Sequence, residues 1–163
     1  MRAWSVILLS TLAGVLGWQA SVPPGNTLPI PYPEDYRDWT HVKSSLISPT
    51  HPNFAANGGY RHTYANETAM EGYRTRAFPE GSIIVFERLE MLDGDGVFIE
   101  GPRRGVDVMV KDSVAFASTG GWGFQRFVKD SKPEIADSPT PQQCFACHDN
   151  LKKDELVLST YRP

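Results

Sequence analysis

Both cysteines of the chain and one of its four histidines fall within five consecutive residues near the C-terminus, CFACH at Cys144–His148. This spacing constrains the local fold more than any other feature of the sequence. Residues three and four apart share one face of a helix, so a helical turn would project Cys144, Cys147 and His148 together. Three chemistries use such a face. A C-x-x-C pair can form a redox disulfide, which leaves His148 without a role. A closed zinc site needs four ligands, and the chain has no second cysteine pair and no H-x-x-x-H to complete one. Covalent haem uses the whole motif: two thiols add to the vinyl groups of one porphyrin, and the next histidine ligates the iron. The haem reading assigns Cys144 and Cys147 to attachment and His148 to the metal, with one haem c per chain. Zinc and disulfide stay open as alternatives.

The opposite face of such an iron needs a separate argument. Only fifteen residues follow His148, and none is Met or His. A sixth ligand would have to come from Met70, Met91, Met109, His41, His51 or His62, all of which sit in segments where a core or surface role is the better reading. The expectation is an open distal site that binds small ligands, since a filled site mainly moves electrons.

The N-terminus carries a second signal. Arg2 precedes the apolar stretch VILLSTLAGVL at Val6–Leu16, and Gln19–Ala20–Ser21 offers a cleavage point. This is the pattern of a signal peptide over residues 1–20, too short for a comfortable membrane span of roughly 20 apolar residues. The alternative is an uncleaved anchor. A periplasmic or secreted location is expected, which also suits covalent haem attachment. A net charge of −3 without a concentrated basic stripe argues against nucleic acid as a partner.

Residues 21–34 are Pro-rich and read as an extended lead-in, leaving residues 35–163 as one domain, long enough to bury a core. PEDYRDWTHVKSS has Tyr36, Trp39, Val42 and Lys43 at helical spacing after an acidic start, which predicts an amphipathic helix. Residues 50–59 read as a loop and Tyr60–Tyr64 as a strand. Asn66 is an N-cap for the helix NETAMEGYRTRA, with N-glycosylation of Asn66 as the competing reading. PEGSIIVFERLEML predicts a strand, and Asp93–Gly96 a hairpin turn rather than a calcium loop. Val97–Ile99, Val106–Val110 and Trp122–Val128 read as further strands, and residues 130–142 as a polar, Pro-rich approach to the motif. The fold class is therefore α+β: a mainly antiparallel β-sheet with flanking helices and a C-terminal haem-attachment helix.

In this order the blocks YRDW, RHTYAN, FPEGSIIV, VMVKD, GGWGF and CFACH resemble the cytochrome P-460 family, which includes the cytochrome c′-beta proteins. The resemblance spans roughly residues 35–160. It implies a homodimer with one five-coordinate c-type haem per chain, held by Cys144 and Cys147 with His148 proximal. Hydroxylamine-oxidising members carry a lysine cross-linked to the porphyrin on the strand after F-P-x-G. Here Phe86 stands at that place, no lysine lies between Lys43 and Lys111, and Lys111 reads as a surface residue. The departure implies the c′-beta branch, with an apolar distal pocket that binds nitric oxide and Phe86 as its cap. An apolar wall offers no hydrogen bond to bound oxygen and so favours nitric oxide and carbon monoxide. Turnover would further need a proton acceptor, for which Glu87, Asp107 and Glu134 are candidates. The expected function is binding of a small diatomic or N-oxide ligand with electron exchange to a redox partner protein. A hydroxylamine or nitric oxide oxidoreductase comes second, and a plain electron carrier third.

Overall fold

A computed structural model of the chain describes residues 30–52, 54–129 and 140–163. The signal-peptide segment, the start of the lead-in and Glu134 lie outside the described residues. A 3-10 turn at Tyr36–Asp38 leads into strand β1 (Thr40–Ile47). There follow a short helix α1 (Phe54–Asn57), β2 (Gly59–Ala65), helix α2 (Glu67–Thr75), β3 (Ile83–Gly94), β4 (Val97–Lys111) and β5 (Trp122–Val128). Helix α3 (Pro141–His148) carries the cysteines. The strands form one antiparallel sheet in chain order, β1-β2-β3-β4-β5. The α+β class expected from the sequence is the observed one.

The predicted helix over residues 33–45 does not form. Its apolar residues do not share a face: Tyr36 packs with Val85, Val106 and Phe127 on one side of the sheet, whereas Val42 joins Ala65, Ile84 and Met109 on the other. A register shift between His41 and Lys43 turns Val42 inward from an otherwise exposed edge strand. Helical spacing was present, but tertiary packing divided it between two cores.

Residues 97–99 and 106–110, read as separate strands, belong to the single strand β4. Its pairing with β3 is irregular around Arg88–Met91. On the β4 side the extra residues fall at Gly101, Pro102 and Arg104, where a proline without an N–H costs the ladder little. The turn beyond is the expected hairpin, with Asp95 (φ 51°) and Gly96 (φ 83°) both left-handed, as a two-residue loop of this hand requires. The hairpin tip leaves Leu92, Val97, Phe98 and Ile99 exposed.

Asn66 caps α2 as expected. Its Oδ1 accepts from Ala69 N at 2.9 Å and from Ile83 N at 3.0 Å, tying the helix start to β3. Gly72 is required for close approach, because a Cβ there would overlap the Phe78 ring. The Tyr73 hydroxyl pairs with Ser159 Oγ at 2.6 Å and binds the C-terminal tail to this helix. Burial pushes the Tyr73 phenol up to about 12.

A candidate haem cavity

Helix α3 begins with a reciprocal cap: Thr140 Oγ1 accepts from Gln143 N at 3.3 Å, and Gln143 Oε1 accepts from Thr140 N at 2.7 Å. Pro141 occupies the first turn, where its missing N–H is not needed. The cap sets the register in which Cys144, Cys147 and His148 fall on one side. All three line a single cavity of about 450 Å³ between the helix and the sheet. Cys144 is half-buried and Cys147 exposed, and both thiols are free. Burial pushes the Cys144 thiol up.

The chain beyond the motif folds back on it. A 3-10 segment at Asp149–Asp154 ends in two consecutive left-handed residues, Glu155 (φ 51°) and Leu156 (φ 67°). A branched residue rarely adopts that conformation, so the turn is held by its surroundings. Leu156 is buried, and Glu155 Oε2 accepts from Phe78 N at 3.3 Å and lies 3.7 Å from Lys111 Nζ. The result is that the Leu156 carbonyl accepts a 2.6 Å hydrogen bond from His148 Nδ1. A carbonyl can only accept, so Nδ1 carries the proton and Nε2 keeps the lone pair. Burial holds the imidazole below its ordinary value, which favours the neutral form. The ring rests against Phe124, with centroids 5.1 Å apart.

Lys111, read from the sequence as a surface residue, is mostly buried. Besides facing Glu155 it sits over the Trp122 ring, 5.3 Å from the centroid. It braces the turn that orients His148 and does not line the cavity.

The sheet wall of the cavity is graded. The rung Ala65–Ile84–Met109–Phe124 is apolar. The next rung, Thr63–Phe86–Asp107–Arg126, adds one aromatic and an ion pair. Asp107 accepts from Arg126 Nε at 2.6 Å and Nη2 at 2.9 Å, and lies 3.3 Å from Arg88 Nε. Arg61, on β2, lines the same cavity. The pocket is therefore not apolar throughout, contrary to the sequence expectation. Phe86 does reach it, half-buried.

Of the six candidate sixth ligands only Met109 and His51 line the cavity. Met70 is core, and Met91 lies on the overhanging ribbon. His41 and His62 form an exposed chain with Ser44, at 3.0 and 2.8 Å, and His62 Nε2 lies 2.7 Å from Glu100. Among the proton-acceptor candidates Asp107 faces the cavity, whereas Glu87 is buried on the other face with Arg37 and Arg103. Arg61 and Arg126 went unnoticed in the sequence. The period-two alternation of β2 and β5 carried that signal, but only once the strand register was known.

Among the described residues no three His, Cys, Asp or Glu side chains converge as a metal-ion site, so a zinc site finds no partner ligands for the motif. A porphyrin suits the arrangement on three counts: two free thiols one helical turn apart, an imidazole with its lone pair on Nε2, and an adjoining cavity with an apolar floor. These are the features of a c-type cytochrome site built on an antiparallel sheet. The sequence model of the Cytochrome P460 family matches residues 33–159. The chain belongs to that family, whose members are haem cytochromes. No curated protein matches it.

Proposed function

We propose that this chain is an exported mono-haem c-type cytochrome whose distal iron site takes nitric oxide or a similar small ligand and exchanges electrons with a partner protein. One observation carries the reading: Cys144, Cys147 and His148 line one cavity, with His148 Nδ1 committed to Leu156 O and Nε2 left to ligate. Such a hydrogen bond fixes the ring and raises the basicity of the ligating nitrogen. Cys144 and Cys147 would hold the porphyrin edge, and His148 the iron. A haem so held supplies a redox-active metal that binds diatomic ligands. Phe86 and Met109, on the cavity wall, would help exclude water from the bound group. The apolar hairpin tip at Leu92, Val97, Phe98 and Ile99 supports the homodimer implied by the family resemblance.

The test is an intact mass and absorption spectrum of protein matured with its export signal. The expected mass is that of the processed chain plus one haem, and the ferrous spectrum should change on adding nitric oxide. Colourless protein of bare mass would reject the haem, and a low-spin spectrum indifferent to nitric oxide and carbon monoxide would reject the open site.

A second reading, oxidation of hydroxylamine or nitric oxide, is favoured by Asp107 and His51 on the cavity wall, where either could receive a proton. Steady-state hydroxylamine oxidation with an artificial acceptor decides it: sustained turnover would put this reading first.

A further inference from the structure

Three guanidinium groups and one carboxylate meet on the cavity face. The register aligns Arg61 with Arg88 on one rung, and Asp107 with Arg126 on the neighbouring rung. Both Asp107 oxygens are taken by Arg126, and Arg88, nearly inaccessible to solvent, stands beside one of them. Arg61 has no such ion pair among the described residues. Its Nε, like that of Arg88, is buried without a hydrogen-bond partner among them, and the side-chain bond it does make there is long, from Nη2 to Asn57 Oδ1 at 3.4 Å. Burial holds this guanidinium below its ordinary value, with Asp107 opposing the shift. Arginine nevertheless stays charged in proteins. A half-buried charge with an idle, inaccessible donor is costly unless an anion completes it. Among the described residues Asp107 is the carboxylate that faces these guanidiniums, its oxygens are taken by Arg126, and Arg61 lines the cavity without an ion pair to it.

We propose that Arg61 is the anion-anchoring donor of this cavity, taking a carboxylate or small oxyanion that enters with the cofactor or its ligand. The inference rests on the haem reading. Two sources share this chemistry: a propionate of the porphyrin, and an exogenous oxyanion such as nitrite. A planar guanidinium suits either, because its parallel N–H groups match two oxygens at once.

The experiment uses the matured holoprotein with Arg61→Gln, Arg61→Lys and, as a control for lost charge, Arg74→Gln on the exposed face of α2. Resonance Raman propionate-bending bands, the pH dependence of the reduction potential and nitrite affinity of the ferric protein are read together. If a porphyrin carboxylate is the anion, Arg61→Gln shifts the bending band and the pH dependence, Arg61→Lys restores part of both, and nitrite affinity changes less than about twofold. If an exogenous oxyanion is the anion, the bending band is unmoved and nitrite binds about tenfold more weakly, the scale of one charge-assisted hydrogen bond. Either outcome supports the donor role. A haem-loaded Arg61→Gln protein matching the Arg74→Gln control in all three readouts overturns it. If Arg61→Gln does not fold, Arg61→Lys carries the test: charge without the planar fork must still move one readout, and wild-type behaviour throughout overturns the proposal. A wild-type protein without haem would instead sink the reading beneath it.

Discussion

Two carboxylates stand on neighbouring registers of the same sheet and face opposite ways. Glu87 pairs across to Val106 and points into the core with Tyr36, whereas Asp107 pairs with Phe86 and points at the cavity. The Glu87 side chain is 1% exposed and accepts from Arg37 and from Arg103 Nε at 2.8 Å. The Asp107 side chain is 23% exposed and is flanked by two guanidiniums, Arg88 and Arg126. The first is a closed structural pair whose partners come from the 3-10 turn and from β4. The second borders the cavity, which Arg61 also lines. The difference teaches that ion pairing in this sheet closes the core on one side and, under the proposal for Arg61, lines a binding surface on the other.

The largest effect follows from opening the closed cluster. Glu87→Gln would leave two arginines facing a neutral amide in the core, and breaking a buried pair costs about 3 kcal/mol. Urea denaturation should show that loss while the cavity face keeps its spectrum. The same side chain predicts an acid limb. Burial raises the Glu87 carboxyl, but hydrogen bonds from Arg37 and Arg103 outweigh it and hold the group below its ordinary 4.5. The unfolded chain therefore takes up this proton at the higher pH. The contribution is complete above about 4.5 and is lost as pH falls through the folded value. Glu87→Gln should flatten stability against pH in that window; an unchanged slope would assign the acid limb elsewhere.

Asp107→Asn should cost less, about 1–2 kcal/mol, because the Asp107 carboxylate and Arg126 border the cavity, where solvent or an incoming anion can reach them, whereas the Glu87 carboxylate is 1% exposed. Equal losses for the two substitutions, measured side by side, would erase the distinction between a structural and a binding cluster. Haem-loaded protein should also tolerate Asp107→Asn better than haem-free protein, whereas Glu87→Gln should be indifferent to loading.

This contrast shows how far the sequence could be read. Short-range chemistry was legible: the Asn66 cap, the Asp95–Gly96 turn and the helical face of Cys144, Cys147 and His148 each depend on residues within a few positions. Phe86 was found through resemblance and does reach the cavity. Long-range partnership was not legible. Tyr36 and Val42 keep helical spacing, yet belong to opposite cores, because Tyr36 sits in the 3-10 turn ahead of β1 and the register shift at His41–Lys43 turns Val42 to the other side. Arg61, Arg88, Asp107 and Arg126 lie on four different strands, and their meeting is set by sheet register rather than by any local pattern. The Leu156 carbonyl on His148 escaped notice for another reason: main-chain acceptors have no side-chain signature.

The smallest predicted effect tests how independently α3 stands. None of its residues is fully buried, and it spans eight residues, short for a helix that must hold itself. Its order therefore leans on the cap at one end and the Leu156 turn at the other. Thr140→Ala removes the side-chain acceptor for Gln143 N and should cost about 1 kcal/mol. The loss should be local, faster amide exchange at Gln143 and Cys144 with little change in global unfolding, since α3 adds only the half-buried Cys144 and Phe145 to the edge of the core shared by α2 and the sheet. Under the proposed attachment, a porphyrin held at Cys144 and Cys147 should restore protection in the variant, because it would tie the helix to the sheet wall. If exchange in α3 is already slow in haem-free Thr140→Ala, the helix is rigid by packing alone, and the cavity is preformed rather than completed by its cofactor.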